Sequence, residues 1–126
     1  MSSIMSLDFA TVHVVIENIE DREFDRRIAE ASVPVLIEFW QPGCRHCQAL
    51  LHELELIHDE LMEQLIILKM NVQENHLIPA DLEIQSLPSL ALFHTGEFQT
   101  FIGGIGKKKE ILQQLEPWIS PRPPHT

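Results

Sequence analysis

Val35-Leu36-Ile37-Glu38-Phe39-Trp40 is a short, nearly continuous apolar run, cut off by Gln41-Pro42-Gly43 and followed at once by a long helical pattern. Apolar residues at both parities are how a central strand covered on both faces reads. From about Cys44 to Met62 the next pattern sets Cys47, Leu50, Leu51, Leu54, Ile57 and Leu61 on one side. That is the stripe of a helix lying on a sheet. A strand covered on both faces needs layers above and below it, so this feature alone directs the chain to an α/β class.

The remaining segments agree. Val12 to Ile16 is apolar and β-branched and reads as a first strand. Asn18 is placed to cap a helix near 20–31, with Asp21 in its first turn and Phe24, Ile28 and Ala31 at helical spacing. Leu65 to Val72 reads as a strand, and Pro79 to Leu82 as a short helix with its proline near the first turn. Ser89 to His94 and Phe98 to Ile102 read as strands joined by a hairpin turn at His94-Thr95-Gly96-Glu97. Gly103, Gly104 and Gly106 make a flexible break before an amphipathic helix over Lys107 to Ile119. The expected order is β-α-β-α-β-α-β-β-α, a mixed central sheet of about five strands flanked by about four helices. Residues 1–119 are expected to form one domain, and the proline-rich residues 120–126 a disordered tail.

Composition removes some function classes. With 44% apolar residues, the 126-residue chain has enough for a core. Its formal net charge of −10 argues against nucleic acid and against anionic membrane surfaces, both of which select basic patches. Partners with positive patches fit better. Asp8, His13, Glu17 and Glu20 interrupt any secretory-type apolar stretch near the start, so a cytoplasmic protein is expected.

Both cysteines lie in Cys44-Arg45-His46-Cys47, directly after the buried strand and at the start of the long helix. A structural zinc site needs about four ligands, commonly from two such pairs, and there is no second pair. At a helix start, unpaired N–H groups and the helix dipole favour an anion, here a thiolate at Cys44. Positions i and i+3 are helix neighbours, close enough for a disulfide after modest adjustment. Cys44 then reads as the exposed nucleophile and Cys47, one turn deeper, as the resolving thiol. Incidental cysteines, or half of a metal site shared between chains, are the alternatives. No metal site is expected elsewhere. His13, His52, His58, His76, His94 and His125 have no ligand spacing and read as surface residues. Glu53, Glu55, Asp59, Glu60 and Glu63 read as the wet face of the long helix.

From about Val12 to Ile119 the chain resembles the thioredoxin family. Val35 to Cys47 is similar to that family's active-site strand and loop. Leu87-Pro88-Ser89 sits where the family has an apolar residue, a cis-proline and a small hydroxyl residue before a strand. Lys69 matches a central-strand lysine, and Gly96 and Gly103 match hairpin and late-loop glycines. The resemblance implies a thioredoxin-like fold and thiol–disulfide oxidoreductase activity on protein disulfides. It implies electrons from an upstream thiol/disulfide reductase, no bound cofactor and a monomer. It also implies that Leu87 and Pro88 dock the substrate backbone against the Cys pair. Glu38, a carboxylate in an otherwise apolar strand, stands where the family has a proton-relaying aspartate; burial should raise its pKa.

The departures from the family pattern surround the substrate-facing surface. Trp40 is kept, but Gly43 replaces a tryptophan before the first cysteine, which makes the rim smaller and more flexible. Arg45-His46 replaces Gly-Pro, and both side chains can tune the thiolate. His52 replaces a helix proline, so a straighter helix is expected. Ser86 replaces the glycine before Leu87. Two further readings stay open on these grounds. One is a thioredoxin-fold chaperone or assembly module in which redox chemistry is secondary. The other is a metal or iron–sulfur carrier using the Cys pair across a dimer.

Overall fold

The computed structural model of the protein describes residues 15–104 and 106–119. Its elements in chain order are β1 (Glu17–Asn18), α1 (Asp21–Glu30), β2 (Val35–Trp40), α2 (Arg45–Leu61), β3 (Ile66–Asn71), α3 (Leu77–Asp81), β4 (Ser89–His94), β5 (Glu97–Ile102) and α4 (Lys108–Leu115). The five strands form one sheet in the order β1-β3-β2-β4-β5. β3 runs parallel to β1 and β2, whereas β4 is antiparallel to both β2 and β5. This is the mixed, helix-covered sheet that the sequence implies.

Strand parity divides the core into two layers. Leu36, Ile67, Leu90, Leu92 and Ile102 pack with Leu50, Leu54 and Ile57 of α2 and with Ile111 and Leu115 of α4. Val35, Ile37, Phe39, Leu68, Met70 and Phe93 pack on the other face with Phe24 and Ile28 of α1. β2 lies in the middle and is buried along both faces, as its apolar run requires.

Three expectations need correction. The first strand is Glu17–Asn18; Val15 and Ile16 precede it, and residues 12–14 lie outside the described residues. Its pairing with Leu68 and Lys69 is a backbone matter at a sheet edge, where side-chain hydrophobicity carries no signal. Asn18 does not cap α1. The helix starts after Glu20, and the Glu23 carboxylate accepts the Glu20 N–H at 3.1 Å. The closing helix stops at Leu115, not Ile119, and continues as a 3₁₀ turn over Glu116–Trp118, where Pro117 supplies no N–H. The expected tail, 120–126, lies outside the described residues. The hairpin turn is as expected, with Thr95 and Gly96 both at positive φ, which this tight turn requires.

Three acidic side chains fasten distant elements. Acidic residues of α2 are more than a wet face: Glu53 accepts the Lys108 N–H at the start of α4, and Glu60 pairs with the Lys108 ammonium, both at 2.8 Å. Asp21 caps a helix far along the chain. Its carboxylate accepts the N–H groups of Leu77 and Ile78, at 2.9 and 3.0 Å, where α3 begins. Asp21→Ala should therefore cost about 1–2 kcal/mol, the usual loss for a helix cap. A lowered urea midpoint at unchanged slope is the expected reading, with Asp21→Asn intermediate because its one amide oxygen replaces only one of the two acceptors; an Ala variant as stable as the parent would contradict it.

Candidate active site

β2 ends at Trp40, and the next four residues reverse the chain into α2. The turn is closed by the Cys44 N–H donating to the Gln41 carbonyl at 3.3 Å. Gly43 takes φ +82°, a left-handed conformation that side chains disfavour. A Cβ there would meet nothing within 4 Å, so backbone conformation, not crowding, is what favours glycine.

Cys44 is the N-cap of α2, and its Sγ accepts the Cys47 N–H at 3.1 Å. A disulfide joins Cys44 and Cys47, with Cα atoms 5.2 Å apart. Cys44 is half-buried, whereas Cys47 is only 3% exposed. Arg45 and His46 open the helix and are both exposed. No acidic residue occupies that first turn.

Glu38 lies beneath this helix start. It shares strand parity with Leu36 and so points to the layer that α2 covers. Its register partners are Lys69 on β3 and Leu90 on β4. The side chain is 1% exposed, and its Oε2 has no hydrogen-bond partner among the described residues. Burial raises its pKa from 4.5 to about 8; the Lys69 charge pulls the other way but does not prevail. A cavity of about 180 Å³ joins these groups, lined by Glu38, Trp40, Cys47, Gln48, Leu51 and Lys69. It has room for water between the carboxyl and the inner cysteine. The Lys69 ammonium sits 5.2 Å from the Trp40 ring centroid, and the indole N–H donates to Asn18 Oδ1 at 3.3 Å.

The Leu87–Pro88 peptide bond is cis. Leu87 packs against the core layer under α1. The β2–β4 register ends at Phe39 opposite Ser89, which puts Pro88 at the end of the sheet where β2 leads toward Cys44. Gly103 follows β5 at that same end, since Ile102 pairs with Leu90. It is anchored, not loose: Gln114 accepts the Gly103 N–H at 2.9 Å and donates to its carbonyl at 2.6 Å. Its φ is not in the left-handed region; that conformation falls on Gly104.

Around one cavity the structure therefore gathers Glu38, Trp40, Cys47 and Lys69. Gln48 and Leu51 also line it, and sequence reasoning had not marked them for the site. Leu51, four residues on from Cys47, was legible from helical spacing; Gln48, the next residue, carries no such signal. Asn18, read as a cap, instead holds the indole. Among the described residues no helix is long and apolar enough to cross a membrane, and no three metal-ligating side chains come together.

The thioredoxin family profile matches residues 15–117. The thioredoxin of Rickettsia typhi is 31% identical over 106 residues, covering 84% of this chain and 97% of the relative. That of Rickettsia felis is 34% identical over 103 residues, covering 82% and 94%. Thioredoxin 1 of Synechococcus elongatus is 30% identical over 90 residues, covering 71% and 84%. With a Cys44–Cys47 disulfide at its strand–turn–helix junction, the chain belongs to the thioredoxin family and is a thiol–disulfide oxidoreductase.

Proposed function

We propose that Cys44 is the attacking group and Cys47 the resolving one in exchange with protein disulfides. The Cys44 thiolate attacks one sulfur of a substrate disulfide and expels the other as a thiolate, which takes up a proton. Cys47 loses its proton toward Glu38, attacks the Cys44 sulfur and releases the second substrate thiol. Two electrons pass to the substrate, and the Cys44–Cys47 disulfide remains. An upstream thiol/disulfide reductase reverses that oxidation, so the chain acts as an electron carrier without a bound cofactor. In this reading Leu87 and Pro88 dock the substrate backbone, and Trp40, Gly43, Arg45, His46, Lys69 and Gly103 shape and tune the site. The protein works as a cytoplasmic monomer of one domain over residues 1–119; an acidic composition and a single reducible Cys pair support that setting.

One observation carries the assignment: a half-buried Cys44 caps the helix while Cys47, a turn deeper, shares a cavity with a buried, unpartnered carboxyl. Two experiments test it. After reduction, limited alkylation should label Cys44 first; preferential labelling of Cys47 would reverse the roles. Cys47→Ser should hold a substrate as a stable mixed disulfide through Cys44, while Cys44→Ser should not. A trap formed equally by both variants would contradict the division of labour.

A further inference from the structure

A second cavity, of about 330 Å³, lies next to the one that holds Cys47. Among the described residues Trp40 alone lines both. Asn18, Trp40 and Asn71, the last residues of the three parallel strands β1, β2 and β3, all border it. Crevices beyond the carboxyl ends of such strands are where α/β sheets bind ligands. The position is one indole away from the redox pair.

Its chemistry is acidic and amide-rich. Glu20, Glu74 and Asn75 complete the polar wall, and among the described residues no lysine or arginine lines it. Asn75 is a fixed wall. It is buried, its Oδ1 accepts the Asp21 N–H at 2.8 Å, and its Nδ2 donates to the Asn71 carbonyl at 3.0 Å. Asn18 is occupied in holding the indole. Glu20 pairs with Arg22 at the surface. The Glu74 carboxylate has no ion-pair partner among the described residues. The wall thus offers one unpaired carboxylate, Glu74, beside an aromatic ring, since the side-chain oxygens of Asn18, Asn71 and Asn75 each already accept a hydrogen bond. The Glu74 carboxylate suits a cationic side chain, while the Trp40 ring, which already carries the Lys69 ammonium, supplies an apolar wall for that side chain's stem. The chain's charge of −10 draws positive partners from a distance, and this cavity gives that attraction a place to act beside the disulfide.

We propose that this cavity is a specificity subsite of the redox centre, taking an arginine or lysine side chain of the protein substrate close to the cysteine under attack. It rests on the redox reading above and adds the substrate class. Three disulfide-linked peptides, identical but for one residue near the cysteine (Arg, Ala or Glu), test it with the reduced full-length protein. The expected order of kcat/KM is Arg above Ala above Glu, by about fivefold per step, the scale of a partly exposed ion pair, and carried by KM. Glu74→Gln should shrink the Arg-over-Glu ratio, and Glu74→Lys should invert it. Glu110→Gln, which removes an exposed carboxylate on α4, should leave the ratio unchanged. Equal rates for the three peptides would overturn the inference. So would a ratio that Glu74→Gln does not move, or that Glu110→Gln moves equally. Absence of turnover on the Ala peptide would instead remove the redox reading, and this inference with it.

Discussion

Glu38→Gln should slow resolution of the mixed disulfide by on the order of 100-fold while leaving its formation nearly unchanged. Only the ionised fraction of Glu38, about a tenth at pH 7 with a pKa of about 8, can take the Cys47 proton; glutamine fills the same space and has no such fraction. Formation needs only the outer cysteine, which lies on the accessible side of the helix start. Stopped-flow measurement of both steps, with a fluorescent peptide disulfide, separates them. Equal rates for variant and parent on both steps would rule out a relay. The same carboxyl sets a pH dependence of stability. Its pKa is about 8 in the folded protein, against 4.5 ordinarily. Between these values the folded state binds a proton that the unfolded chain has released, so stability falls as pH rises. The favourable contribution is complete below about pH 4.5 and gone above about pH 8, a loss of roughly a few kcal/mol at ~1.4 kcal/mol per pH unit. With the disulfide intact, urea unfolding of Glu38→Gln should lack this decline. A parallel decline in parent and variant would assign it to other groups.

Legibility of the molecule in its sequence follows the range of the interactions. β2 is readable because burial on both faces forces apolar residues at both parities, and Glu38 stands out against that background for the same reason. α2 is readable from its stripe, and the Cys pair from its place between the two. The cis bond before Pro88 is legible only through resemblance to a family; its local sequence alone favours an ordinary loop proline. What the sequence does not show is held by distant partners. β1 is two residues long and defined by backbone pairing to Leu68 and Lys69. Asp21 looks like a first-turn acid of its own helix, yet its carboxylate caps α3. Asn18 reads as a helix cap until the fold brings the Trp40 indole to it. None of these choices alters local periodicity, so no window of sequence contains them.

The second large effect concerns redox poise. Arg45 and His46 are the first two residues of α2, exposed, with no acidic residue in that turn to neutralise them. Arg45 is always cationic, and a histidine there either carries charge or donates a hydrogen bond. Both favour a Cys44 thiolate, hence the reduced form, and a favoured reduced form makes the disulfide a stronger oxidant. The overall charge of −10 opposes this, but surface charge is screened over about 8–10 Å. The carboxyl nearest the pair opposes it little: with its pKa near 8, Glu38 is mostly neutral at pH 7. The expected potential is therefore above the roughly −270 mV of thioredoxin itself and below the roughly −120 mV of the strongly oxidising periplasmic disulfide oxidase. Equilibration against glutathione measures it. His46→Pro removes the donor at a first-turn position that tolerates proline, and Arg45→Ala removes the fixed charge. Each should lower the potential, and the pair together by about 30 mV or more, a tenfold change in the equilibrium constant of a two-electron couple. A parent value at or below −270 mV that neither substitution moves would show that the residues between the cysteines do not set the poise.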